Sequence, residues 1–259
     1  MGEMTKFDAG MFCWAELATR DAGAAKSFYG EVFGWKGVDS PTPMGPYTML
    51  QLGGKDAAGL FSMSPEMQKQ GIPPHWGCYI AVASADETAK KVTAAGGKVV
   101  QAPFDVMDSG RMLVAQDPTG AMISFWEAKK HIGARVVGEP GAVCWNELLT
   151  RDTAAATKFY AAVCGWTAQT QQMPVGPYTV FSVGGKEVAG MMAINPSMGP
   201  MPPNWAVYFQ VASCDATVER AKRQGGQVVV PAQDVPTVGR FAVVMDPQQA
   251  VFALLQPSM

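Results

Sequence analysis

Histidine is nearly absent: His75 and His131 are the only two in 259 residues. A metal centre or a nucleophile and base pair built on imidazole has little to draw on. Cysteine occurs five times, an odd number, at positions 13, 78, 144, 164 and 214, with no C-x-x-C pair. Widely spaced and mostly beside apolar residues, these cysteines read as reduced, buried small hydrophobes rather than staples or zinc ligands. An excess of one charge is missing too. The 20 Lys and Arg stand against 22 Asp and Glu, a net charge of −2, and the basic residues are scattered singly. Nucleic acid and anionic membrane are thereby excluded as main partners. No apolar run approaches the roughly 20 residues that span a bilayer, and MGEMTKFDAG has no signal-peptide core. The expected compartment is the cytoplasm. No P-loop, G-x-S-x-G or H-E-x-x-H pattern occurs, and no G-x-G-x-x-G follows a strand. Phosphate-loop, dinucleotide, serine-hydrolase and zinc-protease readings have no motif behind them.

What is there is written twice. Cys13-Trp14-Ala15-Glu16-Leu17 returns as Cys144-Trp145-Asn146-Glu147-Leu148, and Thr19-Arg20-Asp21 returns as Thr150-Arg151-Asp152, an offset of 131 residues. Phe28-Tyr29, Gly34-Trp35, Gly45-Pro46-Tyr47-Thr48 and Gly53-Gly54-Lys55 recur at the same offset. From Trp76 and Trp205 onward the offset is 129 and holds through Gly96-Gly97, Gly110-Arg111 and Asp117-Pro118. A period this long means duplicated domains, because solenoid repeats run about 20 to 50 residues. The polar, flexible stretch between Trp126 and Ala142 reads as the linker, so the domains are placed at residues 1–137 and 138–259.

Within each copy, an apolar segment at 11–17 leads through Thr19-Arg20-Asp21 into 22–32, where Ala25, Phe28, Tyr29 and Val32 fall at helical spacing. That is strand, cap and helix, with Gly34 at the C-cap. Strands follow at 35–38, 47–52 and 57–62, then 76–83, a helix at 86–95, and strands at 98–102, 111–116 and 122–126. Each copy is two βαβββ units, an α+β fold with a curled mixed sheet.

This order, with Phe28-Tyr29, Gly34-Trp35 and Asp117-Pro118-Thr119-Gly120, resembles the vicinal oxygen chelate superfamily. That superfamily holds glyoxalase I, extradiol dioxygenases and the fosfomycin- and bleomycin-resistance proteins. The resemblance covers 11–127 and 142–256, and tandem glyoxalase-like proteins are closest in character. It implies a cup formed by the sheet in which a divalent ion chelates two neighbouring substrate oxygens. The ligand positions it implies are occupied by Trp14, Gly77 and Ser124 in the first copy and by Trp145, Ala206 and Ala253 in the second. None is a metal ligand, so no metal and no other cofactor is expected.

Strand alternation puts Glu16 on the same face as Trp14, and Glu147 with Trp145. Both glutamates are candidate catalytic bases, or else halves of structural ion pairs with Arg111 and Arg240, themselves candidate anion-binding residues or plain surface arginines. His75 is a candidate base at the mouth, or a surface residue, with Asn204 in its place in the second copy. Trp14, Trp145, Trp76 and Trp205 are candidate stacking walls for a ligand, or core packing. The resulting expectation is a glyoxalase-like enzyme acting on a carbonyl-containing or aromatic metabolite; the alternative is a bleomycin-resistance-type protein that sequesters such a compound. A small molecule is the expected partner, and a monomer with internal pseudo-two-fold symmetry the expected state.

Overall fold

A computed structural model describes residues 3–43, 45–173 and 176–258. In chain order the first repeat comprises β1 (Phe12–Thr19), α1 (Ala22–Phe33), β2 (Lys36–Ser40), β3 (Tyr47–Leu52), β4 (Lys55–Ser62), a short α2 (Pro65–Lys69), β5 (His75–Ala81), α3 (Ala85–Ala94), β6 (Lys98–Val106), β7 (Gly110–Gln116) and β8 (Met122–Ala128). The second comprises β9 (Val143–Thr150), α4 (Thr153–Cys164), β10 (Thr167–Met173), β11 (Gly176–Val183), β12 (Lys186–Ala193), β13 (Asn204–Gln210), α5 (Cys214–Arg223), β14 (Gln227–Val235), β15 (Gly239–Met245) and β16 (Val251–Pro257). The short α2 was not expected from the sequence. Ser64 caps it by accepting from Met67 N, and Pro65 starts it, while the second repeat has only a 3-10 turn at Pro196–Met198 in the same loop.

The repeated Thr-Arg-Asp motif has a local cause. Asp21 and Asp152 accept from the Ala24 and Ala155 amides and so cap α1 and α4. Both helices stop at a left-handed glycine, Gly34 at φ 76° and Gly165 at φ 71°, a backbone that a side chain would strain.

Two eight-stranded sheets result, ordered β2-β3-β4-β1-β5-β8-β7-β6 and β10-β11-β12-β9-β13-β16-β15-β14. The first strands of the two βαβββ units pair antiparallel at the middle of each sheet, β1 with β5 and β9 with β13. One face of each sheet carries the long helices. Those faces meet: α1 packs on α5, α3 packs on α4, and β5 touches β13. Most of the buried apolar side chains of both repeats form one continuous hydrophobic cluster that includes Tyr29, Trp35, Trp76, Tyr160, Trp166, Trp205 and Phe252. Among the described residues no helix is long and apolar enough to cross a membrane.

Several polar side chains inside this core are hydrogen-bonded, four of them across the repeats. Tyr29 donates to Asp246 Oδ2 and Tyr160 to Asp117 Oδ2, both at 3.0 Å. Trp76 donates to Tyr29 at 2.9 Å and Trp205 to Tyr160 at 2.7 Å. Trp35 and Trp166 donate to the carbonyls of Gly141 and Gly10 in the opposite repeat. Trp76 and Trp205 therefore do not wall a ligand cup. They sit on the helix-bearing face, because β5 alternates and Gly77 and Tyr79 take the other side.

Candidate functional site

The face of each sheet turned away from the helices is here called the cup face. In the first repeat, register sets Trp14 opposite Tyr79 and Glu16 opposite Gly77, with Ser124 of β8 beside Tyr79. Glu16 is half-buried, and among the described residues no lysine or arginine pairs with its oxygens, although the charge of His75 acts on it. Tyr47 donates to its Oε2 at 2.6 Å and Tyr79 to its Oε1 at 2.7 Å, while Trp14 Nε1 donates to the Tyr47 hydroxyl at 3.0 Å. The second repeat builds the same network. Tyr178 and Tyr208 donate to Glu147 at 2.8 and 2.9 Å, and Trp145 donates to Tyr178 at 3.0 Å. Glu147 is buried, at 8% exposure.

The tyrosine of β3 reaches the glutamate of β1 by crossing β4, and a glycine makes that crossing possible. A Cβ at Gly59 would overlap the Tyr47 hydroxyl, and one at Gly190 the Tyr178 hydroxyl. Both glycines pair with the glutamates themselves, Gly59 with Glu16 and Gly190 with Glu147.

Burial pushes Glu16 and Glu147 above the usual carboxylate range, and the tyrosine hydrogen bonds offset part of that rise. Burial and the adjoining carboxylate together push Tyr47, Tyr79, Tyr178 and Tyr208 upward. The phenols thus stay protonated and remain donors, and the pair of groups is suited to moving or holding one proton.

The expected arginine partners lie elsewhere. Arg111 makes a two-pronged bond with Asp86 in the first turn of α3, at 2.9 and 3.0 Å, and Arg240 does the same with Asp215 on α5, at 2.8 and 2.9 Å. They fasten a helix start to the beginning of β7 and of β15; the glutamates are matched by phenols instead. His75 is exposed, and its Nδ1 lies 2.8 Å from the Pro73 carbonyl. Asn204 donates to Pro202 O at 2.9 Å in the second repeat. Histidine and asparagine share a loop-holding contact there, which explains how one replaces the other.

The sequence reading omitted all four tyrosines. Two signals pointed to them: the Gly-Pro-Tyr-Thr motif repeats, and Tyr79 and Tyr208 recur at the 129 offset on the strand that faces Trp14 and Trp145.

The cup faces also differ in cover. The linker crosses the first: Trp126 Nε1 donates to the His131 carbonyl at 2.8 Å, Ala134 N to Cys13 O at 2.8 Å and Arg135 N to Asp56 O at 2.7 Å. Cys13, Trp14, Tyr79, Ala81, Trp126 and Ala134 form a second hydrophobic cluster there, joined by Phe7 and Val137. Their counterparts Cys144, Trp145, Tyr208 and Leu255 are only half-buried.

These residues do not fit the divalent ion of the fold's metal-using members. Trp14, Gly77 and Ser124 share the cup face but offer no carboxylate or imidazole, and Glu16 has both oxygens taken by phenolic protons. Among the described residues no three His, Cys, Asp or Glu side chains come together.

The fold and the paired cups have counterparts. The family model for the Glyoxalase/Bleomycin resistance protein/Dioxygenase superfamily matches residues 12–125 and 131–254. The candidate glyoxylase CFP32 of Mycobacterium tuberculosis is 42% identical over 261 residues, covering 100% of this chain and 99% of that protein. The anthracycline biosynthesis protein DnrV of Streptomyces peucetius is 36% identical over 264 residues, covering 98% and 95%. Among solved structures, the Mn(II)-bound glyoxalase of Novosphingobium aromaticivorans shares the fold, with a TM-score of 0.66 at 15% identity over 96% of this chain and 82% of that one. With both repeats matched and relatives aligned from end to end, the chain belongs to the glyoxalase, bleomycin resistance protein and dioxygenase superfamily as a tandem two-repeat member.

Proposed function

We propose that the protein is a small-molecule enzyme that works on a carbonyl-bearing aromatic compound in its second cup without the family's metal. The observation that carries this reading is Glu147, a buried carboxylate held between two phenolic hydroxyls, one of them braced by an indole, with no cation beside it among the described residues. Burial disfavours its charged form, and the two phenolic hydrogen bonds offset only part of that. The carboxylate is left raised above its ordinary range, the kind of group suited to taking a proton from carbon. Glu147 takes a proton from the carbon beside the substrate carbonyl. The C–H bond breaks, an O–H bond forms on the carboxyl, and the electron pair moves into an enolate. Once protonated, Glu147 no longer needs two donors, so Tyr208 is free to turn its O–H to the enolate oxygen. Return of the proton to another carbon gives an isomerised product. The anthracycline context of one relative's name suggests a fused aromatic ring system bearing carbonyls as one form of substrate.

The test uses 1-tetralone, a small fused aromatic ketone, in deuterated water. Proton NMR should show loss of its α-hydrogens to deuterium with the native protein and not with Glu147→Gln. Exchange at the buffer rate with the native protein would defeat the base role. One observation favours a second reading, sequestration of the bleomycin-resistance type: at rest, each oxygen of Glu147 already accepts a hydrogen bond. In that case 1-tetralone binds, and no exchange accompanies it.

A further inference from the structure

The first cup contains a ring that belongs to the protein itself. The His131 imidazole stands edge-on to Trp14, centroids 4.7 Å apart and planes at 87°, and lies 5.9 Å from Trp126 at 72°. The backbone is tailored to put it there. Gly133, at φ 107°, passes so close to Cys13 that a Cβ would overlap the Cys13 carbonyl oxygen, and the Ala134 amide then bonds that same oxygen.

We infer that His131 stands where a ligand's ring would stand, so that the first cup is occupied by its own linker and the second takes a planar aromatic ring seated edge-on against Trp145. This rests on the reading of the second cup as the working site, and it names the shape of what enters.

Three observations support it. First, His131 Nε2 is buried and has no hydrogen-bond partner among the described residues. The slot satisfies the plane of the ring and not its nitrogen, so a carbocyclic edge matches it better than imidazole does. Burial also depresses the His131 pKa, keeping the ring uncharged. Second, the residue that holds the linker is lost from the second cup. Leu255 replaces Trp126 by the 129 offset, and leucine has no N–H to offer a backbone carbonyl. Trp145, Tyr208 and Cys144 are correspondingly less covered than Trp14, Tyr79 and Cys13. Third, the polar edge of the slot differs. Tyr79 is paired in register with the hydroxyl-bearing Ser124, whereas Tyr208 is paired with Ala253. The Tyr208 oxygen can therefore accept from a hydroxyl or amine on the ring. The class of ligand is a flat, fused or single aromatic ring with one hydroxyl or carbonyl on the edge that points to Tyr208 and Glu147.

Isothermal titration with 1-naphthol and its saturated counterpart decahydro-1-naphthol tests this. The native protein should bind one equivalent of 1-naphthol, Trp145→Ala none, and His131→Ala two, with the saturated alcohol at least tenfold weaker throughout. Free imidazole should raise the melting temperature of His131→Ala and leave that of the native protein unchanged, a readout that survives if the variant is loosened. Two equivalents in the native protein, one in His131→Ala, binding that persists in Trp145→Ala, equal affinity for the saturated alcohol, or no stabilisation by imidazole would each overturn it. Failure of the base reading is separate: it leaves these stoichiometries intact and abolishes only deuterium exchange.

Discussion

The Tyr29 hydroxyl donates to the Asp246 carboxylate at 3.0 Å, a buried bond between side chains 217 positions apart in the chain. Its mirror joins Tyr160 to Asp117. Tyr29→Phe strands both the Asp246 oxygen and the Trp76 indole N–H, which donates to the same hydroxyl. A loss of about 1–3 kcal/mol is expected from each of Tyr29→Phe and Tyr160→Phe, read from urea denaturation midpoints at constant slope.

Three acids, Glu147 and Asp246 buried and Glu16 half-buried, make stability fall as the solution becomes less acid. Burial raises Glu16, Glu147 and Asp246 above their ordinary values. In the window between the unfolded and the raised folded values, the folded protein holds more protons than the unfolded chain. Stability is then lost as pH rises through that window and is recovered on acidification. Glu147→Gln removes one contributor and strands no arginine, so the pH slope should flatten while neutral-pH stability changes by about 1 kcal/mol or less. A loss of about 3–5 kcal/mol, the mark of a broken buried ion pair, would contradict the phenol-only environment.

Gly190→Ala is expected to push Tyr178 off Glu147, because the new methyl group overlaps the hydroxyl. Overpacking of this kind costs about 1–3 kcal/mol, and binding of 1-tetralone should weaken with it. Gly59→Ala meets the same obstacle at Tyr47 and should lower stability similarly while leaving second-cup binding intact. Thermal melts and titrations on the two variants separate the cups.

Arg240→Ala should leave binding and deuterium exchange unchanged, since Arg240 is engaged with Asp215 and Asp234 at the surface. His75→Asn should be silent as well, because Asn204 already shows that asparagine holds this loop. A drop in turnover with either variant, the fold unaltered, would return that residue to the site.

The architecture was legible because its signals are local or periodic. Asp21 and Gly34 announce both ends of α1, and the constant offsets carry every strand of the first repeat onto the second. Alternation along β1 also placed Trp14 and Glu16 on one face, as the register with Tyr79 and Gly77 bears out. What alternation could not supply was the face of Trp76. That assignment needed the register of β5, and one residue of shift exchanges cup for core. The partners of Glu16 were hidden for a different reason. A carboxylate on an apolar strand suggests a cation by charge alone, whereas Tyr47, two strands away, reaches it over a missing side chain at Gly59 on the strand between, a juxtaposition that no local sequence window contains. The segment between β8 and β9 is polar and rich in glycine, but nothing in its composition said that His131 would turn back onto Trp14.

The reciprocal bonds between the repeats bear on how the chain reaches its native state. Tyr29 and Trp76 have no complete surroundings until Asp246 and Phe252 have been synthesised. A nascent first repeat would therefore present an open aromatic face to its neighbours on other ribosomes. Contacts of such long sequence separation slow folding, and another chain's first repeat offers a nearly identical face to the one that is awaited. Exchange of halves between two chains is thus the misassembly this topology is expected to risk, and the short, anchored course of residues 129–142 over the first cup favours closure within one chain.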